Sequence, residues 1–116
     1  MPITRERFEE LVVEALDGLP DWVRDAMDNV EVMVEDLPPV DQRNLLGLYH
    51  GVPLTERGSS YTWVAPDTIT LFRATIMGVA GHDEERVREQ VRRTVIHEIA
   101  HHFGISDERL HELDAY

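Results

Sequence analysis

Residues Thr94 to Asp107 read TVIHEIAHHFGISD. His97, Glu98 and His101 make the pattern H-E-x-x-H, and Gly104 and Asp107 extend it to H-E-x-x-H-x-x-G-x-x-D. An α-helix turns about 100° per residue, so side chains four apart stand one above the other. In a helix, His97 and His101 therefore offer imidazole nitrogens to a single metal ion. Glu98 lies about a quarter turn round, poorly placed as a ligand but able to reach a water on that metal. One turn of backbone thus supplies two ligands and one base.

The flanking residues agree with a helix. Val87, Val91, Val95, Ile99 and Phe103 recur every fourth residue, an apolar stripe of helical period. His82 or Asp83 starts it, with Glu84 and Glu85 in the first turn, where the helix dipole favours acids. Gly104 stands where a helix takes a left-handed terminator, so the chain can turn back and carry Asp107 towards the histidines. At this composition a bare H-E-x-x-H arises by chance in about 3% of chains of this length, and with the Gly and Asp in about one in five thousand. The extended pattern, not the three-residue one, carries the reading.

The stretch resembles the active-site helix of zincin metallopeptidases, and its Gly-x-x-Asp extension is similar to the metzincin pattern with Asp in the third-ligand place. The short chain and the late position of the motif resemble a compact bacterial family of zincin-like metallopeptidases. That resemblance implies His97, His101 and Asp107 as metal ligands and Glu98 as the catalytic base. The residues themselves leave alternatives for the third place: His111, or Asp107 as a carboxylate that only orients a histidine. The sequence departs from metzincins in one respect, since Met1, Met27, Met33 and Met77 all precede the motif and no methionine turn follows it. With only residues 108–116 after Asp107, no C-terminal subdomain is expected to wall a cleft.

Two imidazoles, a carboxylate and a water form an open site of the catalytic zinc type, so one zinc ion per chain is the expected cofactor; nitrogen and oxygen ligands also suit iron or manganese. Zinc lowers the pKa of its water to roughly 7. Glu98 would take that proton and return it to the departing amine. An oxyanion partner beyond the metal is needed; Tyr49 and Tyr61 are candidates that spacing does not separate. His102 is turned about 100° from His101 and is expected to face another element. His50 and His82 read as surface histidines.

Composition narrows the classes. The 116 residues are 42% hydrophobic, enough for one core and one domain, residues 1–116. No apolar run approaches the ~20 residues that span a bilayer, and the opening MPITRERFEE lacks a signal-peptide core. A cytoplasmic location and no membrane partner are expected. Cysteine is absent, which excludes disulfides and thiolate metal sites. The net charge is −12, with 23 acidic residues against 11 basic ones, all arginine. So acidic a chain is ill-suited to phosphate backbones, and no nucleic-acid partner is expected. An RNA-maturation endonuclease family has a similar H-x-x-x-H-x-x-G pattern, but it lacks the Glu and ends in histidine.

Along the chain, Ile3–Leu16 reads as an amphipathic helix capped by Thr4, with Phe8, Leu11, Val12, Ala15 and Leu16 on one face and Gly18 stopping it. Pro20 opens a shorter helix through Trp22, Val23 and Met27. Val30–Glu35 alternates and reads as a strand. Pro38 and Pro39 mark a loop, Leu45–Gly51 a second strand, Thr55–Pro66 a polar loop and Thr68–Arg73 a third strand, apolar enough to be buried on both faces. Gly78–Asp83 reads as a break before the long helix, and Ser106–Leu113 as a last short helix capped by Ser106. The expected fold is α+β: a minimal zincin-like domain with a small mixed three-stranded sheet, helices packed on it, and a long active-site helix. The zincin layout implies that the third strand is central and Leu45–Gly51 is an antiparallel edge beside the metal. A peptide or protein substrate could add to that edge as an extended strand. The leading function is a zinc-dependent metallopeptidase; the alternative is a non-catalytic, metal-stabilised protein-interaction module on the same scaffold.

Overall fold

In the computed structural model, which describes residues 2–51, 66–105 and 107–112 (side chains in the last stretch only at 108, 109 and 112), Thr4 starts the first helix. Its hydroxyl accepts from the Arg7 N–H at 3.1 Å, and helix α1 (Arg5–Asp17) follows. Phe8, Leu11, Val12 and Ala15 are buried along one face. Helix α2 (Asp21–Ala26) begins after Pro20 and buries Val23. Strand β1 (Val30–Glu35) alternates between half-buried valines and exposed Glu31, Met33 and Glu35, the period-2 pattern of a half-buried strand.

A 3-10 turn (Val40–Gln42) leads to strand β2 (Gly47–His50) and, beyond the segment 52–65, to β3 (Asp67–Phe72). The sheet order is β1-β3-β2, with β3 parallel to β1 and antiparallel to β2. β3 is therefore central and β2 is an antiparallel edge, as expected. Residues paired across the three strands share a face. Val32, Ile69 and Tyr49 look inward, whereas Met33, Thr70 and Leu48 look out. Ile69, Leu71 and Phe72 are buried, but Thr68 and Thr70 on the outer face are only half-buried, so the burial expected on both faces of this strand is not met there.

Three further expectations need correction. β2 is shorter than Leu45–Gly51, because Leu45 carbonyl is taken by the Thr75 hydroxyl at 2.6 Å rather than by the sheet. A helix not foreseen, α3 (Arg73–Ala80), follows β3 without a break, capped by no side chain and burying Ile76 and Ala80. Finally, Phe103 does not continue the buried stripe of helix α4 (Glu84–His102). A four-residue step overshoots the helical repeat by about 40°, and Phe103, the C-cap residue, is 55% exposed. Ile96 and Ala100 take its place in the core. α4 lies against α1, α3 and the sheet, so its inner face completes the core. Helix α5 (Asp107–Glu112) ends the described chain. The loop expected at Thr55–Pro66 and the Ser106 cap fall outside the described residues, Pro66 excepted. No helix among the described residues is long and apolar enough to cross a membrane.

Candidate metal centre and cleft

Helix α4 is fixed at both ends by its own sequence. The Asp83 carboxylate accepts from the N–H groups of Glu85 and Arg86 at 3.0 and 3.3 Å. At the other end Gly104 takes φ +74°, with Ile105 N–H bonded to Ala100 carbonyl and Gly104 N–H to His101 carbonyl. This is a Schellman termination, in which glycine adopts the left-handed region without a Cβ clash. The chain reverses there, and Asp107 opens α5 three residues later.

Val87, Val91, Val95 and Ile99 are fully buried, which turns the opposite side of α4 towards β2. On that side the rings of His97 and His101 lie 3.9 Å apart between centroids, tilted by 52°. His97 is half-buried and His101 exposed, so the pair opens to solvent. Glu98, also half-buried, accepts from the Tyr49 N–H at 3.1 Å.

That contact places the base at the free edge of the sheet. Phe72 N–H bonds Leu46 carbonyl at 2.9 Å, which makes Leu46–Phe72 a hydrogen-bonded pair. In an antiparallel ladder such pairs alternate, so Leu48 and His50 also turn their main-chain groups to β3, and Gly47 and Tyr49 turn theirs outward. Gly47 lets this edge approach α4. A Cβ there would lie 2.7 Å from Thr94 Cγ2 and 3.3 Å from Thr70 carbonyl oxygen, so no larger residue fits without movement.

Tyr49 joins strand and helix a second time. Its ring stacks on His102, centroids 3.9 Å apart at 18°, and its hydroxyl donates to Asp67 at 2.7 Å. His102 thus faces another element, as its helical position implies. With its hydroxyl given to Asp67, Tyr49 is a structural tie rather than a ready oxyanion donor; Tyr61 lies outside the described residues. His50 is exposed at the end of β2, and His82 Nδ1 accepts from Ile3 N–H at 3.1 Å, holding the N-terminal residues.

The side chains of Asp107 and His111 are not among those described, so the third-ligand expectation rests on the backbone turn alone. Among the described residues no three His, Asp or Glu side chains gather as a metal-binding group. Sequence reasoning missed the contributions of Gly47, Tyr49 and the cleft between β2 and α4. That cleft has a volume of about 390 Å³, and Asn44, Gln90, Arg93, Thr94, His97 and Glu98 are among the residues that line it. A glycine inside a strand pattern was the available signal, since it marks close approach of another backbone.

Charge away from the cleft holds the helices in register. The Arg7 guanidinium binds Glu84 through two nitrogens, at 2.7 and 2.9 Å, tying α1 to the start of α4. These bonds hold the Glu84 carboxyl below its ordinary range. Arg73, and then Arg5, do the same for Asp36.

A family model described as zincin-like metallopeptidase matches residues 27–116. Among solved structures, the chain is similar to a conserved hypothetical protein from Thermus thermophilus, with 23% identity and a TM-score of 0.56 over 87% of this chain and 94% of that one. At that identity the likeness concerns the fold. A search of curated proteins found none that matches.

Proposed function

The chain belongs to the zincin-like metallopeptidase family, and we propose that it is a zinc-dependent peptidase with His97, His101 and Asp107 as ligands and Glu98 as general base. One observation carries the reading: the rings of His97 and His101 adjoin on one helix face, and the next carboxylate, Glu98, reaches the free edge of the sheet. Two imidazoles in contact and open to solvent are a donor set that suits zinc. Zinc held there would lower the pKa of a water to about 7 and polarise a substrate carbonyl.

The chain's own residues would do the rest. The outward N–H and carbonyl of Gly47 and the outward carbonyl of Tyr49 accept an extended peptide as a further strand, which holds its backbone across the cleft, while the Tyr49 N–H stays with Glu98. Glu98 takes a proton from the attacking water and delivers it to the departing amine nitrogen. The Tyr49 N–H aims the carboxylate along the edge where that peptide would lie, and the Tyr49–His102 stack keeps β2 at its distance from α4.

A second reading has one observation in its favour. The bond from Tyr49 N–H to Glu98 also ties the strand to the helix, so Glu98 could serve a non-catalytic, metal-stabilised interaction module. Glu98→Gln separates the two, because it removes the base and keeps a group able to accept that bond. The peptidase reading predicts that zinc-loaded wild type cleaves unstructured peptides and that Glu98→Gln, with zinc retained, loses about 100-fold or more in rate. Equal rates would remove Glu98 from the chemistry. No cleavage by either, with partner binding unchanged, would establish the module.

A further inference from the structure

We infer that the cleft between β2 and α4 is a specificity pocket for an acidic substrate side chain, recognised by Arg93. The inference rests on the peptidase reading above and names the substrate class. It follows from how strand and helix run past each other. Gly47 lies against Thr94, and Tyr49 lies against Glu98, so the two elements run in the same direction. Going backwards along both, Asn44 falls towards Gln90 and Arg93, and all three line the cleft. The cleft therefore has a chemical end, His97 and Glu98, and a recognition end about one helical turn away.

Arg93 precedes His97 by four residues, on the same side of α4 and about 6 Å along its axis. That spacing is about the reach of a glutamate side chain whose main chain lies on the β2 edge near Glu98. The other described side chains at the recognition end are uncharged: Thr94 hydroxyl is turned back to Gln90 carbonyl at 2.8 Å, and Gln90 Nε2 donates to it at 3.3 Å. Among the described residues that line the cleft, Arg93 is the cation at that end. Its Nε pairs with Glu89 at 3.2 Å, an exposed i,i+4 pair on the same helix. Such pairs are weak, and a guanidinium has five donors, so a substrate carboxylate can be bound in the bidentate manner that arginine favours. A basic side chain would meet like charge instead. In a chain of net charge −12, a cation in the cleft wall gives acidic peptides a local attraction at the site itself.

The test uses end-blocked, internally quenched octapeptides of alanine and glycine with one variable residue, Glu, Gln, Lys or Leu, moved through the inner positions. Cleavage is measured with zinc-loaded wild type, Arg93→Gln and Arg93→Glu. Equilibrium binding of the same peptides is measured on zinc-loaded Glu98→Gln. At one position next to the cleaved bond, wild type should prefer Glu over Lys by about tenfold or more. Arg93→Gln should level that preference, and Arg93→Glu should reverse it, with zinc content unchanged. Cleavage or binding that is indifferent to Glu and Lys at every position overturns the acidic pocket and leaves the peptidase reading standing. A preference that survives in Arg93→Gln, which keeps the helix if Arg93→Glu does not fold, overturns the role of Arg93. If no peptide is bound or cleaved, both readings fall together.

Discussion

Two glycines show what a single residue contributes and how far each was legible. Gly104 could be read from sequence, because a left-handed terminator after an amphipathic run is a local requirement, and its φ of +74° meets it. Among the described residues no atom lies within 4 Å of a Cβ built there, so Gly104→Ala should cost only the backbone penalty, roughly 1–2 kcal/mol. Urea denaturation would measure it. Gly47 could not be placed, because its role depends on Thr94, distant in sequence and brought close only by the fold. Gly47→Ala should destabilise by roughly 1–3 kcal/mol, since the new methyl meets buried Thr94 Cγ2 at 2.7 Å. Adding Thr94→Ser removes that carbon while keeping a hydroxyl for Gln90 carbonyl. The double variant should recover more than half of the loss, and no recovery would place the strain elsewhere. His97, Glu98 and His101 were legible because four-residue spacing is itself geometry; Tyr49 was not, since its main-chain N–H carries no sequence signature.

At the scale of elements, local chemistry was readable wherever it was local. Thr4 and Asp83 cap α1 and α4 through their own side chains, and β1 alternates as its valines dictate. Helix α3 was missed for a physical reason. RATIMGVA contains a glycine and several β-branched residues and begins without a side-chain cap. It is held by tertiary contacts, the burial of Ile76 and Ala80 and the bond from Thr75 hydroxyl to Leu45 carbonyl, and packing of that kind outweighs propensity in short helices. The rigidity of α4 comes from its buried face. Ile99 is fully buried beside Glu98, so Ile99→Ala should cost about 2–5 kcal/mol. Asp83→Ala, which only opens the first turn far from the histidines, should cost about 1 kcal/mol. Thermal and urea unfolding would rank the two; equal losses would contradict a core anchored on the α4 face.

For the whole molecule, acid stability reports how the helices are tied. Arg7 holds the Glu84 carboxyl below its ordinary range, and Arg73 does the same for Asp36. A carboxyl lowered on folding adds stability that is present above its unfolded value, roughly 4, and disappears as pH falls through the folded one. The melting temperature should therefore drop as pH is taken from about 5 to 3. Arg7→Ala should show a shallower drop, and an unchanged acid limb would remove the α1–α4 ion pair from the account. The architecture itself, helices packed on a β1-β3-β2 sheet with β2 as antiparallel edge, was legible because the motif implies a layout into which the alternating segments fit. The cleft was not, since it arises only where β2 passes α4. The central claim is a zinc site on that helix, and the metal content of protein purified without added metal or chelator tests it most directly. Mass spectrometry beside a folded His97→Ala variant should find about one zinc per chain in the wild type and none in the variant. A wild-type chain that carries no zinc, and takes up none when given it at micromolar concentration, would contradict the account.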